Sequence, residues 1–368
     1  MNTQMNNKTA SQFFPEASLI DTTDGMQFKV YSNVHPPGFV IAKPKYIPDD
    51  LVSFKGLKKR FIFEKCMTRF NLFTSKEIAK FNLDNLKSKY PEYFYDCKKH
   101  SNWFLGVPVG KIKTVHDTQA GFREFMKVPD SDLDVYLKDV RGFANLLIKS
   151  GVSPQDIGIS HSTLMGNYTL GKSDIDILIF GKKNGWKAVH FLETASDPAL
   201  RWKTKEDWAK YFKDRVVSKN YSVEQYVFNM ERKRDDGFYN DNVFSIFVIE
   251  TPDEQWYNLE QVHTPMGVAK VRAKVVDAYN SIVRPGYYGI SNVQLIEGQL
   301  ADLAKLKRIV TWARPFTLQA KEGEAVEACG LLEHVTSEKD DFYQLVLGYF
   351  DTYTSERGEQ EYLKVLQE

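Results

Sequence analysis

Between Ser131 and Gly151 apolar residues recur at Leu133, Tyr136, Leu137, Val140, Ala144, Leu147 and Ile148. Steps of three and four place them on one helical face, and Gly151 with Pro154 beyond it supplies the stop, so the clearest helix of the chain is predicted there. Helices are also predicted over residues 74–90, opening on Ser75-x-Glu77 and stopping before Pro91, and over 186–192. Two more start at Thr204, where Glu206 and Asp207 suit the first-turn dipole, and at Ser222. Strands are predicted around a His35-Pro-Pro-Gly38 turn, at 25–31 and 39–47, and again at 157–160, 173–181, 243–249 and 268–277. The aromatic segment from Tyr93 through Gly106-Val-Pro-Val-Gly110 reads as a loop or linker, residues 300–307 as a short helix or turn, and residues 1–14 as a frayed polar terminus. Runs at 307–313, 326–335 and 342–349 make the last part β-rich and barrel-like, ahead of a short amphipathic tail at 354–368. The expected class is α+β, in three regions: 1–115 with a β-element and a helix, 116–295, and 296–368 with the C-terminal β-rich domain and tail.

Composition narrows this picture. A length of 368 residues fits two or three domains. No apolar run reaches eighteen residues, so neither membrane insertion nor a secretory signal is expected, and the chain is expected to be cytoplasmic. Cys66, Cys97 and Cys329 lack CxxC spacing, which argues against a disulfide framework or a structural zinc site and predicts buried thiols. With a net charge of +1, attraction to phosphates must come from local patches. One such patch sets Lys55, Lys58, Lys59, Arg60, Lys65 and Arg69 among Phe54, Phe61, Phe63 and Phe70. It reads first as a solvated basic face over a phenylalanine core, and alternatively as a phosphate-tracking surface with stacking rings. Arg232, Lys233 and Arg234 read as a solvated helix end or as phosphate contacts. Trp312, Phe316, Tyr343 and Tyr349 read as strand core, with nucleic-acid contact as the alternative.

The chemistry concentrates in residues 158–181, Gly-Ile-Ser-His-Ser-Thr-Leu-Met-Gly-Asn-Tyr-Thr-Leu-Gly-Lys-Ser-Asp-Ile-Asp-Ile-Leu-Ile-Phe-Gly. Asp174 and Asp176 stand two apart in a strand pattern, so both carboxylates leave one face, and two like charges held so close call for a cation between them. Hard oxygen ligands suit Mg²⁺ carrying substrate phosphates. Upstream, Ser162 and the turn that follows offer a hydroxyl and backbone N–H groups to phosphates.

This arrangement resembles the DNA polymerase β-type nucleotidyltransferase superfamily, whose signature is a Gly-Ser followed some ten residues on by an Asp-apolar-Asp strand. Ser162 matches the serine, Gly166 the small residue after it, and Asp174 with Asp176 the acids, while His161 stands where the family has glycine. The resemblance implies a palm over 116–295, a mixed sheet with helices on one face. It implies Mg²⁺ or Mn²⁺ on Asp174, Asp176 and a third acid, and a nucleoside triphosphate held by Ser162, Gly166, Lys172 and Ser173. For the third acid Asp277 is preferred to Glu250. His35-Pro-Pro-Gly38, Val276-Asp277 with Pro285-Gly-Tyr-Tyr, and Gly330-Leu-Leu-Glu333 further resemble bacterial and archaeal nucleotidyltransferases that include the enzyme of Hailong-type anti-phage defence. That likeness implies template-independent synthesis of a nucleic-acid oligomer from dNTP or NTP, primed on a C-terminal tyrosine, for which Tyr362 is the candidate, with an operon partner protein. The alternatives are nucleotidyl modification of a partner protein and a catalytically inactive nucleotide or nucleic-acid sensor.

Overall fold

The structure, a computed structural model, describes residues 13–215 and 218–367. It is α+β, with three sheets that follow one another along the chain.

The first sheet is antiparallel throughout and holds β1 (Leu19–Thr22), β2 (Gln27–Val30), β3 (Phe39–Pro48), β4 (Lys59–Ile62), β5 (Lys65–Arg69), β6 (Phe94–Cys97), β7 (Asn102–Pro108) and β8 (Ile112–His116). Helix α1 (Lys76–Lys89) is N-capped by Ser75 and buries Ala79, Leu83 and Leu86 against it. The expected loop at 93–110 instead contains β6 and β7. Its glycine is part of the packing: a Cβ on Gly106 would stand 2.0 Å from the Val40 carbonyl oxygen, so only glycine lets β7 lie this close to β3. His35 fixes the turn before β3, accepting the Ile41 N–H at Nδ1 (3.0 Å) and donating from Nε2 to the Phe14 carbonyl (2.9 Å). Phe14 is thereby anchored and buried, against the expectation of a frayed stretch to residue 14, whose first twelve residues lie outside the described ones.

The second unit runs α2 (Thr118–Lys127), α3 (Val135–Lys149), β9 (Ile157–Ile159), α4 (His161–Met165), β10 (Ile175–Phe180), α5 (Lys182–Thr194), β11 (Leu200–Trp202), α6 (Lys205–Arg215), α7 (Val223–Glu231), β12 (Asp236–Tyr239) and β13 (Asn242–Ile249). Strand order is β11-β12-β13-β10-β9, with β10 and β13 parallel and the other pairs antiparallel. Ile175, Ile177 and Ile179 of β10, with Phe244, Ile246 and Val248 of β13, pack on Phe122, Val140, Phe143, Leu147, Ala188 and Leu192 from α2, α3 and α5. Period-2 alternation then turns Asp176, Leu178, Phe180, Ser245, Phe247 and Ile249 to the other face, where Phe13 and Ala17 cover the apolar members.

The third sheet holds β14 (Val262–Asp277), β15 (Gly286–Glu297), β16 (Leu306–Thr311), β17 (Ala325–Thr336), β18 (Asp341–Leu347) and β19 (Tyr362–Val365), with α8 (Arg357–Gln360) before its last strand. Because β14 pairs with both β15 and β17, five strands close into a ring, which removes their free edges. The chain therefore enters this sheet at Val262, and the expected division between 295 and 296 falls inside its second strand, β15. The expected tail docks as a strand: over the described residues 354–367, β19 adds to β17. Trp312 and Tyr349 are 1% exposed and belong to a core shared with the first sheet, and Phe316 and Tyr343 pack on the third sheet's own core. Cys97 and Cys329 are buried, whereas Cys66 is exposed on the edge hairpin β4–β5. Among the described residues no helix is long and apolar enough to cross a membrane.

Candidate active site

Strand β9 turns into α4 beside the start of β10, and antiparallel pairing fixes what meets there. Ile159 pairs with Ile177, and the Ser160 N–H continues the ladder to the Asp176 carbonyl at 3.2 Å. The ladder ends there, because His161 opens α4, so Ser162 stands in the first turn of that helix, two residues past the rung of Asp176. Tyr136 of α3 pins the junction from the helical side, donating to the Asp174 carbonyl at 2.8 Å and meeting Thr163 Oγ1 at 2.7 Å. Ser160 Oγ donates to the Ala17 carbonyl at 2.5 Å, tying the turn to the first sheet.

His161 has φ 51°, the left-handed region that glycine favours. The backbone therefore keeps the conformation of the expected glycine while carrying an imidazole, and this ring fills space beside the acid. Its Nδ1 stands 3.0 Å from Asp176 Oδ2 and its face lies edge-on to Phe247 at 5.8 Å. The approach is unsuited to a hydrogen bond, and both ring nitrogens are buried without a partner. Burial drives the ring down to about 3, so it is neutral at pH 7.

Cations from the other two sheets close over Asp176. Lys29 Nζ of β2 lies 4.4 Å and Arg314 Cζ lies 4.3 Å from the ring centroid of Phe247, which shares the Asp176 face. Lys45 of β3 adds a third positive field. Desolvation lowers Lys29 to about 7 and Lys45 to about 8, with Asp176 opposing both shifts. Burial alone would raise Asp176, but contact with His161 and the fields of Lys29 and Lys45 outweigh it and hold the carboxyl below its ordinary value. Arg284 adds to this cluster through its ion pair with the buried Glu16, and Lys43 Nζ donates to the Tyr353 hydroxyl at 2.8 Å.

The expected ligands are distributed as follows. Asp174, exposed just before β10, and Asp176 within it stand two residues apart, and the Tyr136 hydroxyl that binds the Asp174 carbonyl also meets Thr163 of α4, the helix that carries Ser162. Gly166, at φ 65°, is the left-handed cap of α4, and Ser173 spends its hydroxyl accepting the Thr169 N–H at 2.9 Å in a turn that Gly171 permits. Lys172 is exposed on that turn. Neither expected third acid joins Asp176. Asp277 ends β14 in the third sheet, where it accepts from the Tyr279 N–H at 2.8 Å and the Tyr287 hydroxyl at 3.2 Å. Glu250 is fully buried against Lys182 Nζ at 3.1 Å, and burial raises it to about 7. It lies five residues along β13 from the Asp176 rung, roughly 17 Å at strand rise. The acid on the right rung is Asp236: Asp176 pairs with Ser245, and Ser245 with Asp236. Two strand spacings put it roughly 10 Å from Asp176 between Cα atoms, paired with Lys203 and 3.9 Å from Arg314. Ser245 occupies the intervening rung.

Tyr362 cannot offer its hydroxyl as placed. It is 2% exposed, donates to Glu327 at 2.8 Å, and burial raises its pKa. The basic cluster at the end of α7 is structural as well: Arg232 pairs with Glu324, Lys233 is 3.7 Å from Asp235, and Arg234 lies over Trp202.

An uncharacterized protein of Methanocaldococcus jannaschii is 25% identical over 352 residues, covering 94% of this chain and 97% of its own. No family model matches the chain, and no solved structure does. That relative carries no activity to transfer, so the functional reading rests on the geometry above.

Sequence reasoning missed Lys29, Lys45, Arg314 and Asp236. The two lysines did leave a signal, as cations interrupting Phe28-x-Val30 and Pro44-x-Tyr46 in largely apolar strands. Arg314 left none, because it reaches the site from the far side of another sheet. Among the described residues no three His, Cys, Asp or Glu side chains gather into a self-contained metal cage. Mg²⁺ does not require one, being taken up through one or two carboxylates plus substrate phosphates and water. Asp174 and Asp176 could supply that donor set, with His161 Nδ1 standing 3.0 Å from Asp176 Oδ2 on its buried side.

Proposed function

We propose that the chain is a metal-dependent nucleotidyltransferase built on a polymerase β-like palm, using a nucleoside triphosphate to extend a nucleic-acid oligomer. The observation that carries this reading is the juxtaposition at β10: two carboxylates fit for a cation, with Lys29, Lys45 and Arg314, which fit phosphates, gathered on the Asp176 face. Mg²⁺ or Mn²⁺ bound through Asp174 and Asp176 with the triphosphate supplies Lewis acidity, lowering the pKa of the attacking hydroxyl. The chain's own groups do the rest. Lys29, Lys45 and Arg314 neutralise the triphosphate and the charge that grows on departing pyrophosphate. Ser162 offers its hydroxyl to a phosphate oxygen, and the His161 ring excludes water from one side of Asp176. Asp236 is the acid placed to complete the set once phosphates draw Lys203 and Arg314 away.

Purified protein incubated with each labelled dNTP and NTP, with Mg²⁺ or Mn²⁺, should give a ladder of labelled oligomer on a denaturing gel. Label confined to protein would favour modification of a protein acceptor; if that protein is the chain itself, label is not expected on Tyr362. No product with any of the eight would leave only a sensor.

The lysines make nucleotide binding pH-dependent. Arg284, Arg314, Asp176 and Glu16 surround Lys29, whose folded value of about 7 leaves it partly neutral at pH 7. Phosphates restore the charged form, so binding takes up protons and affinity should fall as pH rises. A drop of about tenfold per pH unit for each proton taken up is the upper bound between pH 7 and 9. Titration calorimetry in two buffers of different ionisation enthalpy measures that uptake directly, and no uptake above pH 7 would contradict it.

A further inference from the structure

The basic, phenylalanine-rich stretch does not lie over a phenylalanine core. Phe54 and Phe70 do turn inward, but Phe61 is 79% exposed and Phe63 43% exposed, at the end of the β4–β5 hairpin. Phe63 and Glu64 are the two turn residues, both left-handed at φ 54° and 60°, positions that two-residue hairpins ordinarily give to Asn and Gly. Phe63 lies edge-on to Tyr46 at 6.3 Å between ring centroids, yet stays 43% exposed on a left-handed turn, and strain of this kind points to a use outside folding. The charges agree. Lys58, Arg60, Lys65 and Arg69 are exposed and, among the described residues, make no ion pair, while Lys59 is paired with Asp49 at 2.6 Å. Glu64 is the single acid between residues 58 and 69. The hairpin also adjoins the candidate site: β5 pairs with β3 at Tyr46 and Ile47, next to Lys45, whose field reaches Asp176.

We infer that the β4–β5 hairpin is a docking surface for single-stranded nucleic acid, with Phe61 and Phe63 stacking on bases and Lys58, Arg60, Lys65 and Arg69 tracking phosphates toward Lys45. Exposed rings interleaved with unpaired cations are what sequence-tolerant strand binding uses, because every base has a stacking face and every linkage a charge. The inference deepens the proposed transfer activity by supplying the path along which the oligomer leaves or enters.

The test is the binding of fluorescein-labelled dT20 to the full chain by anisotropy, in EDTA and without nucleotides, so that it reads the surface and not catalysis. Binding should weaken with salt on a log–log slope of about −3, the single-strand value for four phosphate contacts, and Arg60→Ala/Arg69→Ala should flatten it by about 1.4. Phe61→Ala and Phe63→Gly should each cost at least about 5-fold in affinity. Phe63→Gly suits the left-handed turn, so its melting temperature should hold or rise while binding falls, which separates a lost contact from a damaged fold. Unchanged affinity and slope in these variants, or binding to phosphatidylserine vesicles in place of dT20, would overturn the inference. Strand binding by a chain that forms no product would sustain it while defeating the transferase reading. A chain whose first addition is normal but whose products are equally long in Phe61→Ala would do the reverse.

Discussion

Asp176→Asn is expected to lower nucleotidyl transfer by on the order of 10³-fold, the scale seen when one group aligned with developing charge is removed. The substitution keeps the shape of the side chain and removes the charge around which Lys29, Lys45 and His161 are arranged. It also removes the acid that both desolvated lysines share, leaving Lys29 with Glu16, so both should fall further and the variant should bind triphosphate less tightly at pH 8. A paired comparison identifies the remaining acid. Asp236→Asn should lower transfer by at least about tenfold, since it alone shares the rung of Asp176. Asp277→Asn should leave transfer near wild type, because its carboxylate closes a turn at Tyr279 and meets Tyr287 in the third sheet. Equal rates for wild type and Asp176→Asn would remove the basis for the proposed function, and a large loss in Asp277→Asn alone would restore the sequence-based assignment.

His100→Phe is expected to stabilise the protein by about 1–3 kcal/mol at pH 7, the cost recovered when a buried polar group without partners is replaced by an apolar one of similar shape. His100 is fully buried, and neither ring nitrogen has a hydrogen-bond partner among the described residues. It packs against His263 at 4.0 Å between ring centroids, with Phe104 and Tyr257 around it, where the first and third sheets meet. Burial, with the neighbouring His263 and Lys99, drives its pKa from 6.5 to about 3. The sign follows from linkage: between these values the unfolded chain binds the proton and the folded chain does not, so this ring's contribution is lost as pH falls below 6.5. The advantage of His100→Phe should therefore grow by about 2 kcal/mol between pH 7 and pH 5, at 1.36 kcal/mol per unit. Comparing the two proteins cancels the opposite trend from buried acids such as Glu250 and Glu361, both raised to about 7. Denaturant melts at the two pH values measure it, and a variant that is less stable with a gap independent of pH would refute the reading of a partnerless ring.

Elements with strong local signals were legible in the sequence. The helix at Val135–Lys149 is there because its apolar spacing is regular and Asp134 caps it, and α7 because Ser222 and Gln225 form a reciprocal capping box. Strands β6 and β7 were not legible, because Gly106 and Pro108, which usually punctuate loops, serve close packing there. The hairpin rings were misjudged for a related reason: spacing separates Phe61 and Phe63 from Phe54 and Phe70 only once the register of β4 with β5 is known.

By itself, then, the sequence determined an α+β chain and marked the local piece of the candidate site, Ser162 with Asp174 and Asp176, because those residues sit within one turn and one strand whose geometry is short-range. Only the tertiary structure decided what faces them. Lys29, Lys45, Arg314 and Asp236 come from four other strands and loops, and their neighbourhood depends on sheet register and docking, to which spacing along the chain is blind. The same long-range packing withdrew Asp277, Glu250 and Tyr362, each of which it gives a buried or turn-closing partner elsewhere.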